Sequence, residues 1–113
     1  MKDTPQVRAF IRKTTKHYVR KMGIKHKTNI LYTLKDLHKK QDGVKRFKPH
    51  KKYALSVFNS KECDIFINIR KHITAADLLD TIVHELVHIK YPKIAHGREF
   101  QNKIDKIVMN ERI

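Results

Sequence analysis

His84-Glu85-Leu86-Val87-His88 lies inside an apolar stretch, and His96-Gly97-Arg98-Glu99-Phe100 begins eight positions after its last histidine. Histidines four apart project from one face of an α-helix, close enough to share a metal ion. The glutamate between them stands beside that face, where it can take a proton from metal-bound water. Zinc suits such a donor set, and a catalytic zinc takes three protein groups plus one open position for water. His96 is the leading third ligand, since imidazole matches zinc well. Glu99 and Glu111 stay open as alternatives, because a carboxylate on a following helix can fill the same role. Without a metal, the same residues would read as core histidines bonded to backbone, with Glu85 on a wet edge.

The elements around the motif must place these groups. Thr74 is a good N-cap, Asp77 and Asp80 suit the positive end of a helix dipole, and Tyr91-Pro92 is a stop, so a helix is expected over about 75–90. Leu78, Leu79, Ile82, Val83, Leu86, Val87 and Ile89 make it apolar around most of its circumference, as a central buried helix requires. A turn over 92–95 and the freedom of Gly97 lead to a second helix over about 98–110, with Phe100, Ile104, Ile107 and Val108 at helical spacing. Upstream, Thr4-Pro5 starts a backing helix with an apolar stripe from Val7 to Met22, ending at Gly23. Residues 29–34, 53–58 and 64–69 read as three strands, the last two joined by a turn at Asn59-Ser60-Lys61-Glu62. The strand around Ile65 to Ile69 is expected to be exposed and to pair with an extended peptide. Residues 39–52 read as a mobile basic loop. Asp80 is a candidate orienter of the His84 ring and Tyr91 a candidate donor to the reacting carbonyl, each with a plainer alternative in dipole compensation and helix-end packing.

His84-Glu85-x-x-His88 followed by His96-Gly97-x-x-Phe100 resembles the core of the SprT-like metallopeptidases, which include Spartan and are similar to YgjP-type proteins. The length is also similar to that of the minigluzincins, archaeal metallopeptidases on a minimal zincin plan. The motif-bearing match covers residues 75–108. It implies an α+β minimal zincin domain spanning 1–113, one zinc held by His84, His88 and His96, Glu85 as general base, and a peptide or protein substrate. Two departures stand out. The gap between His88 and His96 is shorter than in Spartan, and Cys63, the only cysteine, rules out the cysteine-rich zinc ribbon of many SprT-like proteins. The minigluzincin comparison favours Glu99 over His96 and implies a latent enzyme whose own terminal segment can fill the cleft.

Composition bounds the remaining possibilities. A chain of 113 residues with 40% apolar content supports one small core, and no apolar run is long enough to span a bilayer. A cytoplasmic monomer is expected, with Cys63 a buried small hydrophobe. The net charge of +15 is one-sided: residues 1–62 hold 18 Lys and Arg against 4 Asp and Glu, whereas residues 63–113 hold 8 against 7. A basic half of this kind is the electrostatic footprint of a DNA or RNA partner, or a solvated lysine-rich surface. Spartan-like enzymes act on proteins attached to DNA, which the resemblance extends to this chain as an expectation. The main alternative is a non-catalytic, basic nucleic-acid-binding domain with a structural metal site, which leaves Glu85 without a purpose. An RNA-processing hydrolase of the YbeY type also uses three histidines, but has no glutamate at the second motif position.

Overall fold

Thr4 caps the first helix, α1 (Pro5–Lys21), by accepting a hydrogen bond from the Val7 N–H at 3.2 Å in the computed structural model, which describes residues 1–112 and side chains as far as 109. Strand β1 (Lys27–Leu31) follows, then helix α2 (Leu34–Lys40), two 3₁₀ turns (Asp42–Phe47 and Pro49–Lys51), strands β2 (Ala54–Phe58) and β3 (Glu62–Ile67), a 3₁₀ turn (Ile69–Lys71), and helices α3 (Ala75–Lys90) and α4 (Arg98–Arg112). The order along the sheet is β1-β3-β2, with β1 parallel and β2 antiparallel to β3. The α+β class and three-stranded sheet agree with the sequence reading. Among the described residues no helix is long and apolar enough to cross a membrane.

The strand expected at the exposed edge is the central one. Every residue of β3 from Cys63 to Ile67 is buried, because both faces of the sheet are covered. Cys63, Ile65 and Ile67 join the main core with α1, α3 and α4, while Phe66 packs with Leu37 of α2 and Val44 of the first 3₁₀ turn. A nearly unbroken apolar run such as Ile65-Phe66-Ile67 belongs to a strand buried on both faces. The edges are therefore β1 and β2, and β2 is the one that lines a cleft with α3 and α4. Asp64 shares β3 with partners that offset its burial: Lys40 Nζ lies 2.8 Å from its Oδ1, and Gln41 Nε2 and Asn29 Nδ2 donate to it at 2.8 and 3.0 Å. These bonds hold its carboxyl below the usual range although burial alone would raise it.

Two further expectations change. The first strand stops at Leu31, and Thr33 caps a helix by accepting from the Asp36 N–H at 3.1 Å, so residues 32–34 turn out of the sheet. The basic segment 39–52 is not a free loop. Its first residues finish α2, and the rest forms the two 3₁₀ turns, tied down by buried Val44 and Pro49 with left-handed Lys48 at φ 52° between them.

The helix that carries the motif forms as its residues dictate. Thr74 and Asp77 make a reciprocal capping box, and such a cap contributes about 1 kcal/mol. Ile82, Val83, Leu86 and Val87 are fully buried. At its far end Lys90 donates to the Met22 carbonyl, joining the ends of α3 and α1 beside Gly23, whose φ of 69° favours glycine. Cys63 is fully buried, with its thiol pKa raised by burial, as expected of a small core residue.

Candidate metal centre

His84 and His88 are one turn apart on α3, half-buried, with their Nε2 atoms 3.1 Å from each other. The chain then leaves α3 at Tyr91, turns over 92–97, and passes Gly97 at φ 152°, a conformation that side chains disfavour. This turn returns His96 to the same point, with its Nε2 2.8 Å from that of His88. The three imidazoles form a cluster whose ligand atoms all lie within 4.8 Å of one another. Nitrogens bound tetrahedrally to one zinc at about 2.0–2.1 Å stand about 3.3 Å apart, so this donor set fits that ion with small adjustment. Phe100 on α4 props the cluster from below, its ring centroid 4.8, 4.5 and 5.1 Å from those of His84, His88 and His96. An apolar support of this kind limits ring rotation and keeps the nitrogens aimed together.

The electrostatics agree with ligand histidines. Burial, followed by the neighbouring His88 and His96, pushes His84 down to about 4, and burial also lowers His88. Both rings are therefore neutral at physiological pH, the form that offers a lone pair to a metal.

Glu85 lines the same cleft as the histidine cluster, a cavity of about 910 Å³ between α3, α4 and β2. It is only 7% exposed. Burial raises its carboxyl pKa, a hydrogen bond from the Ser56 side chain on β2 opposes that rise, and the positive charge of Lys52 opposes it further. Ser56 and Lys52 are site residues that sequence reasoning missed, because the meeting of a strand with a helix about 30 positions away leaves no local pattern. Glu99 is exposed on α4 and outside the histidine cluster. Glu111 and the terminal segment proposed to fill the cleft lie outside the described side chains. Asp80 lines the cleft, whereas Tyr91 packs against the core with Lys103 Nζ 4.3 Å from its ring centroid, the plainer of its two readings.

A further histidine braces α3. His72 is 2% exposed; its Nδ1 lies 2.8 Å from the Asn68 carbonyl and its Nε2 2.7 Å from Thr81 Oγ1, one turn before Glu85. Burial lowers its pKa. The unfolded chain thus takes up this proton first, so His72 supports stability above about pH 6.5 and ceases to as pH falls from there toward its lowered folded value. His72→Gln is expected to reduce the acid-induced loss of stability over that window, measured by urea unfolding of the metal-free protein at pH 5 and 7. An unchanged pH dependence would show that His72 does not contribute. No protein-family model, curated protein or solved structure matches the chain.

Proposed function

We propose that this chain is a zinc-dependent peptidase of the kind its motif resembles, SprT-like or minigluzincin, cutting peptide bonds with Glu85 as general base. The observation that carries this reading is a buried carboxylate opening on the cleft where three imidazole nitrogens converge, beside the free edge of β2. His84, His88 and His96 would hold the metal. When bound, zinc lowers the pKa of its water towards about 7 and polarises a carbonyl. Glu85 accepts the water proton and delivers a proton to the leaving amine. Ser56, on the same cleft, favours the charged form of that carboxylate, and Phe100 fixes the rings. The free edge of β2 pairs with an extended substrate through main-chain hydrogen bonds, a role first assigned to the strand now seen at the centre. The proposed setting is cytoplasmic, with Cys63 kept as a thiol. Glu85→Gln tests the reading, through loss of hydrolysis with metal retained.

A second reading, a nucleic-acid-binding domain with a structural metal, draws on one specific feature. Phe47 is 48% exposed with the Arg46 guanidinium 4.8 Å from its ring centroid, among Lys45, Lys48 and Lys51, and aromatic faces beside cations suit single-stranded bases. Single-stranded DNA is then expected to bind with a salt slope of about 0.7 per phosphate contact, reduced by reversing the charge of Lys45, Arg46 and Lys48. Absence of binding in a fluorescence anisotropy titration at about 50 mM salt removes this reading and, with it, the expectation of DNA-associated substrates.

A further inference from the structure

The hydrolase reading leaves open which peptides the cleft takes, and the inference drawn here rests on that reading. Ser56 and Glu85 face the same cleft where α3 packs on β2, which places the reacting end of the cleft at the middle of β2. Thr81 bonds His72, whose ring centroid lies 5.5 Å from that of Tyr53, so α3 and β2 pass each other in the same direction. A peptide paired antiparallel to β2 runs from the Phe58 end toward the Ala54 end. Residues that follow the scissile bond therefore pass Leu55 and Ala54 and reach Tyr53, about 10 Å from Ser56 at roughly 3.3 Å per residue, where the long side chains of Lys52 and Lys51, one and two positions further along, can reach back toward the peptide.

That end of the cleft is cationic on the sheet side. Lys51 and Lys52 are exposed cleft-lining residues, and among the described residues neither forms a salt bridge. Lys52 is close enough to Glu85 for its charge to be felt there. Lys71 Nζ, 6.0 Å from the Tyr53 ring centroid, adds a third cation. The opposite wall, formed by α3 and α4, carries Asp80 and Asp105, the latter accepting from Gln101 Nε2 at 3.0 Å. The cleft is polarised across its width. Main-chain pairing holds a substrate against β2, so the nearer charges are the lysines, and exposed cations without a salt-bridge partner at the mouth of a cleft select for anions.

We propose that Lys51 and Lys52 form a subsite for a carboxylate two to three residues beyond the scissile bond on its C-terminal side, supplied by an acidic side chain or by the end of the peptide.

The probes are short peptides bearing a hydroxamate at the N-terminal end, which anchors their register on zinc. They carry Glu, Gln or Lys at the second and third positions, with free or amidated C-termini, and are titrated calorimetrically into the zinc-loaded protein. The Glu peptide is expected to bind about tenfold more tightly than the Gln peptide at low salt, the effect of roughly two exposed charge pairs, with the Lys peptide weakest. Lys51→Gln with Lys52→Gln should collapse that ratio toward one, as should high salt. Selectivity that persists in the amidated series assigns the carboxylate to a side chain, and selectivity confined to free C-termini assigns it to the peptide's end. Equal affinity across the series, or a preference for Lys set by Asp80 and Asp105, overturns the subsite while leaving the hydrolase reading intact. Failure of every hydroxamate to bind zinc-loaded protein overturns both.

Discussion

Zinc uptake is expected to approach one ion per chain and to be lost on replacing His84 or His88 by alanine. Each supplies an Nε2 to the same convergent cluster, and removal of either leaves two protein ligands, too few for a stable site. The affinity should fall by more than the ten- to hundredfold that follows from removing only a ligand's hydrogen-bonding partner. His96→Ala should have a comparable effect and Glu99→Ala almost none, since Glu99 lies outside the cluster. Competition with a chromophoric chelator measures all four variants. Circular dichroism of the metal-free proteins separates ligand loss from unfolding, because His84 and His88 are half-buried and His96 is exposed. Unchanged zinc content in His84→Ala and His88→Ala would dismantle the centre, and weakening in Glu99→Ala alone would install a glutamate ligand in place of His96.

The choice between His96 and Glu99 shows where sequence reasoning stops. Helix α3 was legible because all its signals are local: a capping pair at Thr74 and Asp77, apolar residues all round, and a stop at Tyr91-Pro92. The positions of His84 and His88 follow from that helix by spacing alone. His96 reaches them through a turn whose path depends on Gly97 and on Phe100 docking beneath the rings, and neither direction nor reach can be read from residue types. The same limit explains the sheet. The segment Cys63 to Ile67 displays the unbroken burial of a central strand, but its cover from α2 and the first 3₁₀ turn arises from contacts of Leu37 and Val44 with Phe66 across more than twenty residues. Helix α2 itself is seven residues long and mostly lysine, leucine and histidine, and its available signal was the short cap from Thr33 to Asp36. The meeting of Ser56 and Glu85 at one cleft, which brings the proposed base to the substrate-facing edge, has no local signature at all.

Glu85→Gln is expected to keep zinc and fold while lowering peptide hydrolysis by about 10²–10⁴-fold, the range associated with loss of a general base. Glutamine keeps the size of the side chain and still offers an oxygen to Ser56, so the packing of α3 against β2 should be retained. It cannot take a proton from water at neutral pH, and no other carboxylate is buried in this cleft. Stability gives an independent check. Burial raises the folded pKa of Glu85, so in the metal-free chain its contribution is fully present below the unfolded value of about 4.3 and is lost as pH rises through the folded value. Glutamine is neutral throughout, so the metal-free variant should be more stable than the parent at pH 7, with the difference vanishing near pH 4. A fluorogenic casein assay, zinc content and urea unfolding at both pH values measure the three effects together. Hydrolysis within tenfold of the parent, with zinc retained, would show that another group activates the water. Loss of activity accompanied by lower stability at pH 7 would show that Glu85 supports the fold instead of the reaction.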